Sequence, residues 1–309
     1  MINRYEDSPE FVENSELLER ITRIAAVHDI SCLGRCALTV IIPVLSAMGV
    51  QTVPLPTALL STHTGGFENM FFEDLTRHMR EITAHWKSID ADFDAIYSGF
   101  LGSAEQIDML VEFRRDFAYK NDGKKTLIAV DPVMGDDGEL YSTYDKALML
   151  GMSRLCLGAD LITPNLTEAC FLTETKYPTH FMQDAEAEEF AGELLAELSK
   201  RFGCGKAVIT GIDAMGDDGK KRIVTAALDS AAESKPVFFA VPHLDRAYPG
   251  TGDVFASVLL GKMLSGEDFS VSVADACDFV CRSTAFSQKY ATPIRDGLII
   301  EPCLKLLWN

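Results

Sequence analysis

DAIYSGFLGSAEQIDMLVEFRRDFAYKNDGKKTLIAVD, residues 94–131, sets two short apolar runs, 94–99 and 126–131, on either side of an amphipathic stretch of helical length at 103–119. Strand, helix, strand in that order requires a crossover, so the two strands lie parallel in one sheet. The pattern continues outward: RIAAVH (23–28), QTVPL (51–55), ADLIT (159–163) and KAVIT (206–210) read as further strands, and 183–202 as a further amphipathic helix. Beyond 210 it changes. KRIVTAAL (221–228) and KPVFFAVP (235–242) follow each other across a polar turn, which predicts an antiparallel edge, and helices at 252–265 and 270–289 close the chain. No repeat or Pro/Gly-rich linker divides it, so the expectation is one three-layer α/β/α domain over 23–309 behind an acidic leader, 1–22.

Composition narrows the function. With 309 residues, 47% hydrophobic and 24% charged, the sequence is that of a globular protein with a large core. A net charge of -18 without a dense Lys/Arg run argues against nucleic acid as a partner. No stretch is long and apolar enough to span a membrane, and the leader lacks a signal-peptide core. The eight cysteines lie largely in apolar runs without disulfide-framework spacing, which fits a reducing, cytoplasmic setting. Cys32 with Cys36 and Cys277 with Cys281 are each four apart and could share a helical face, but as small hydrophobes rather than metal ligands.

In an open parallel sheet the ligand site lies beyond the carboxyl ends of the strands. Polar or aromatic residues stand there after five runs: His28 and Asp29, Phe100, Asp131, then Thr163, Asn165 and Glu168, and Thr210. Singly, each has a structural reading as a strand end or helix cap. Together they supply what a cleft needs. PGTGDVF (249–255) adds a helix start whose glycines permit close backbone approach and whose free amides attract anions. Asp253 beside such amides suits a general base that takes the proton of a hydroxyl attacking a phosphoryl group, although Thr251 or Asp253 could instead cap the helix. Asp131 and Glu168 are hard oxygen ligands of the kind that hold Mg2+. No P-loop sequence or dinucleotide fingerprint occurs.

Taken together, RIAAVHDISCLGRCAL from residue 23, LSTHTGGF (60–67), YSGFLGSAEQ (97–106), DPVMGDDGELY (131–141), TPNLTEA (163–169), VITG (208–211) and GTGDVFAS (250–257) resemble the ribokinase-like superfamily, and within it the pyridoxal (vitamin B6) kinases. The resemblance implies a ribokinase-like fold. The short interval 49–69 leaves little room for the large β lid of sugar kinases. It further implies ATP-dependent phosphorylation of the 5'-hydroxymethyl group of a B6 vitamer, with hydroxymethylpyrimidine kinase as the alternative. It makes Asp253 the base, Gly250, Thr251 and Gly252 the anion hole, and Asp131 part of the metal and phosphate region. Asn165 and Glu168 would organise Mg2+ and its waters, with K+ or Na+ as a further cation. Asp136 would move over the nucleotide, Thr163 and Thr210 would line its site, and His63, Thr64 and Phe100 would border the pyridine ring. Phe100 stands where many relatives carry a tyrosine. Val27 and Asp29 depart from the pattern at the first strand, and Asp29 could accept a bond from a ring nitrogen or amino group. Family members commonly form homodimers.

Overall fold

The structure is a computed structural model describing residues 21–141, 144, 146–232, 235–244 and 246–308. The leader expected over 1–22 therefore lies, up to residue 20, outside the described residues. Twelve strands are described: β1 (Arg23–Leu33), β2 (Gln51–Thr62), β3 (Phe72–Asp74), β4 (Ala95–Ser98), β5 (Leu127–Val130), β6 (Gly135–Asp136), β7 (Glu139–Leu140), β8 (Leu161–Ile162), β9 (Met182–Gln183), β10 (Lys206–Met215), β11 (Lys221–Asp229) and β12 (Val237–Pro242). The helices are α1 (Leu38–Ala47), α2 (Thr76–Ser88), α3 (Ala104–Asp116), α4 (Lys146–Cys156), α5 (Leu166–Thr173), α6 (Asp184–Phe202), α7 (Thr251–Leu264) and α8 (Phe269–Lys289).

The main sheet runs β12-β11-β10-β8-β5-β4-β1-β2-β3, with β9 also on β10. Strands from β10 to β2 along this path pair in parallel. Antiparallel strands close both ends, β11 and β12 at one and β3 at the other. The first edge matches the expectation; the second was not anticipated. The reason is length: β1 and β2 run on to Leu33 and Thr62, well past the apolar runs, and the exposed β3 pairs with the far half of β2. The far ends of β1 and β2, with β3, form a small flap at this edge of the sheet.

Alternation along the buried strands feeds two cores. In β1, Ala25 and Val27 face the layer of α2 to α6, whereas Ile24 and Ala26 face α1, α7 and α8. Helix α7 is apolar all round, with Val254 to Gly261 all buried, because it lies between the sheet and the neighbouring helices. At Gly261 an added Cβ would stand 2.6 Å from Met48 Cε, so the glycine lets the end of α1 press onto α7. A helix gripped in this way holds its first turn rigidly. Cys32 and Cys36 do not share a helix: Cys32 is on β1 and exposed, Cys36 in the following loop and buried.

Candidate active site

Thr163, Asp131 and Phe100 follow the carboxyl ends of β8, β5 and β4, and the neighbouring strands β10 and β1 bring Thr210 and Asp29, both mid-strand, to the same level of the sheet. Two register shifts interrupt the ladders there, between His28 and Ile30 on β1 and between Ile209 and Ile212 on β10. Such bulges re-aim side chains, and here they stand on either side of Asp131 and Phe100 in the sheet order.

Helix α7 starts above this edge. Its N-cap, Gly250, has φ 85°, and a Cβ there would lie 2.2 Å from Arg35 O, so only glycine lets the turn rest on the loop after β1. The first helical bond is Val254 N to Gly250 O at 3.0 Å, which leaves the amides of Thr251, Gly252 and Asp253 ahead of the hydrogen-bonded ladder. A Cβ built on Gly252 would lie 3.9 Å from Asp131 Oδ2, so the helix start and the end of β5 are within one small group of each other.

Asp253 is not walled off, its side chain being 16% exposed. Oδ2 accepts a hydrogen bond from Ala37 N (2.8 Å), at the start of α1, where Ala37 itself sits at φ 49°. Two helix starts thus converge on one carboxylate. Burial nevertheless pushes its pKa up to about 7, with the Ala37 amide opposing and the charge of Asp29 adding to the rise. Asp29 is buried, its Oδ2 accepts from Ser31 Oγ (2.8 Å), and burial lifts its pKa to about 6. Asp131 lies well above the ordinary carboxylate range because of burial and the charges of Glu168 and Asp253. The buried hydroxyl of Thr163 faces it and opposes that rise.

Glu168 has a second role that the motif TPNLTEA carries in its spacing. Asn165 caps α5 by accepting from Glu168 N (2.9 Å), while Glu168 Oε2 accepts from Asn165 N (2.8 Å), a reciprocal capping box. Its other oxygen accepts from Met134 N (3.0 Å), tying α5 to the DPVMG loop. Burial raises its pKa to about 8 even so. Asn165 Nδ2 donates to Gly135 O (2.8 Å), and Thr210 N to Pro164 O (3.1 Å). Asp136 is on the exposed two-stranded hairpin of β6 and β7 that these contacts hold in place.

Among the described residues no group of three His, Cys, Asp or Glu side chains forms a metal cage. Asp131 and Glu168 nonetheless fit Mg2+: both carboxylates are buried, the charge of Glu168 raises the proton affinity of Asp131, no ion pair neutralises either among the described residues, and Mg2+ typically takes one or two carboxylates together with substrate phosphates and water. Glu168, with both oxygens on backbone amides, would act through water.

The substrate-side residues divide. His63 is buried and fully engaged: its Nε2 lies 2.7 Å from Arg295 O and Nδ1 accepts from Gly65 N (3.1 Å), so it bears its proton on Nε2 and fastens the LSTHTGGF loop to the segment after α8. Thr64 beside it is half-buried. Phe100 is buried, edge-on to Tyr144 at 6.0 Å, and Thr57 Oγ1 donates to its carbonyl (2.9 Å). Sequence reasoning missed the Ala37 amide, which no side-chain pattern announces, and it noted His28 only as a polar strand end.

The sequence profile of the phosphomethylpyrimidine kinases matches residues 42–295. The chain belongs to this family. A Bacteroides thetaiotaomicron protein assigned to the phosphomethylpyrimidine kinases and crystallised with pyridoxal is similar over 93% of this chain and 96% of its own, with TM-score 0.85 and 37% identity. The pyridoxal kinase of Lactobacillus plantarum aligns over 93% and 96% with TM-score 0.79 and 29% identity. A pyridoxal kinase of Pasteurella multocida is 30% identical over 72% of this chain and 74% of that protein. Across two Schizosaccharomyces pombe relatives the aligned segment spans 46% and 77% of their lengths. The three-layer fold and the family therefore agree with the resemblance read from the motifs, and the chain is an enzyme of the kinase class.

Proposed function

We propose that this chain transfers the γ-phosphoryl group of ATP to the 5'-hydroxymethyl group of pyridoxal, pyridoxamine or pyridoxine. The observation that carries the reading is Asp253: a solvent-reachable carboxylate with pKa near 7, set in the first turn of a buried helix whose leading amides are open. A base of that strength is matched to taking the proton of an attacking alcohol near neutral pH. Gly250, Thr251 and Gly252 receive the charge on the transferred oxygens, and Thr163, Asn165 and Thr210 line the nucleotide side. Asp131, with Glu168 behind it through water, would hold Mg2+, which supplies charge neutralisation on the phosphates. Asp136 covers the nucleotide from its hairpin, while Asp29, His63, Thr64 and Phe100 border the ring. Transfer is direct and in line, because alignment and charge neutralisation suffice.

The pyridoxal in the Bacteroides relative and the names of the other relatives support a B6 vitamer over a pyrimidine. A panel of pyridoxal, pyridoxamine, pyridoxine and hydroxymethylpyrimidine, read as ADP formed, tests this. The highest kcat/KM is expected for a vitamer; preference for the pyrimidine would move the enzyme to thiamine synthesis, and ADP release independent of added alcohol would overturn the reading. We place the domain, residues 23–309, in a cytoplasmic homodimer that binds neither nucleic acid nor membrane; sedimentation tests the dimer.

A further inference from the structure

His28 is wholly buried, yet neither ring nitrogen has a hydrogen-bond partner. Burial of unpaired polar atoms costs free energy, and folded chains keep such an atom where it serves a purpose. The ring is also held firmly. Tyr97 meets it edge-on at 4.3 Å, and Gly99 lies so close that an added Cβ would stand 2.3 Å from His28 Cε1. Held between these two, its Nδ1 lies 3.8 Å from Oδ1 of Asp253, the oxygen that the Ala37 amide leaves free.

The contact is not an ion pair, because burial pushes the imidazole pKa down to about 3 and the ring stays neutral. Nor is it yet a hydrogen bond, being too long. The titratable groups facing the pair are Asp29 on β1, Cys36 on the loop beyond it, Tyr97 on β4, Asp131 at the end of β5 and Tyr141 beyond β7. These are carboxyls, a thiol and phenols, and among the described residues no lysine or arginine pairs with Asp253. His28 is therefore the neutral N–H donor side chain turned toward its free oxygen.

We infer that His28 is a positioning residue for Asp253: with its proton on Nδ1, the neutral imidazole donates toward Oδ1 and fixes the carboxylate for proton transfer from the bound alcohol. Hydrogen bonds of this kind are commonly long in ligand-free enzymes and shorten when substrate binds. The inference rests on the general-base reading of Asp253 given above.

His28→Phe and His28→Asn test it. Phenylalanine fills a similar space and removes both orphaned nitrogens, so thermal stability should hold or rise. Yet kcat should fall roughly 10- to 100-fold with KM for ATP unchanged. An N–H turned toward the charged form holds a carboxyl pKa down, most strongly where the contact is short, so its loss should move the acidic limb of the kcat profile, which reports the bound complex, upward by roughly one pH unit, and that of kcat/KM by less. Asparagine, whose amide nitrogen stands near the Nδ1 position, should recover most of that shift. A merely structural histidine would lower stability and leave the limb in place. Wild-type kcat and an unmoved limb in His28→Phe would overturn the inference. A second readout does not need turnover: the 13C-carboxyl titration of Asp253, assigned through Asp253→Asn, should move to higher pH in His28→Phe, and an unmoved titration overturns the inference. Absence of vitamer-dependent ADP formation in the wild type would instead overturn the proposed function, leaving the carboxyl titration to decide on His28.

Discussion

Asp253 combines two environments that pull its proton affinity in opposite directions. Burial raises it and the Ala37 amide lowers it, and the outcome near 7 leaves a substantial fraction ionised at neutral pH. Asp253→Asn keeps the side chain's shape and one acceptor oxygen for the Ala37 amide, so the fold and ATP binding should persist. Turnover should fall by about 100-fold or more, the scale of a lost general base. A quenched-flow or coupled ADP assay measures the loss, and near-normal turnover would remove Asp253 from the chemistry. The same reasoning separates His63, whose two nitrogens are both engaged and which fastens a loop, from His28, whose nitrogens are not.

At the level of the elements, the two glycines of the turn have different duties. Gly250→Ala meets both a left-handed φ and a carbonyl 2.2 Å from the new Cβ, and should destabilise the protein by about 2 kcal/mol or more. Gly252→Ala meets nothing nearer than 3.9 Å and occupies a helical position, where alanine is favoured by roughly 0.5–1 kcal/mol. That variant should melt no lower than wild type while KM for ATP rises, since its methyl projects into the cradle toward Asp131. Equal melting losses in the two variants, by calorimetry, would contradict this division. At the start of α5, Asn165→Ala removes one half of the capping box and should cost about 1 kcal/mol. The backbone amide that Glu168 Oε2 accepts from remains, but the Asn165 Nδ2 donation to Gly135 O is lost and with it one tie to the DPVMG loop, so turnover, measured against Mg2+ concentration, should need more Mg2+ as stability falls.

Over the whole molecule the site is a store of unfavourable charge. Asp29 and Asp253 have folded pKa values of about 6 and about 7, above the ordinary aspartate value, so the folded state binds their protons more tightly than the unfolded chain does. The stability they contribute is complete below the ordinary value near 4 and is lost as pH rises through 6 and 7. Surface acids held low by hydrogen bonds, such as Asp122, Asp218 and Asp268, act in the opposite sense but below that window. His28, buried neutral, gains stability with pH up to its ordinary value of 6.5 and offsets one carboxyl in the lower half of the window, where Asp29 and Asp253 together outweigh it. The ligand-free protein should therefore melt at lower temperature as pH is raised from about 5 to about 8. Asp253→Asn should flatten that slope; a melting temperature that climbs over this range would contradict the raised proton affinity of Asp29 and Asp253.

Most of the architecture was legible in the chain, because parallel strands buried on both faces must be apolar runs and their crossovers amphipathic helices. Residues 94–131 state that rule locally, and the helices at 183–202, 252–265 and 270–289 match α6, α7 and α8 within a residue or two. GTGD likewise announced a helix start with open amides, since glycine's freedom at the N-cap and the unpaired amides of a first turn are local properties. The sequence could not give the flap, the bulges or the partners of Asp253, because each depends on segments far apart in the chain. Strand β2 continues past its apolar run since β1 and β3 supply its hydrogen bonds, and Ala37 reaches Asp253 across 216 positions. Proton affinity and imidazole orientation at His28 follow from burial and neighbours, quantities that only the folded arrangement of β1, β4 and α7 decides.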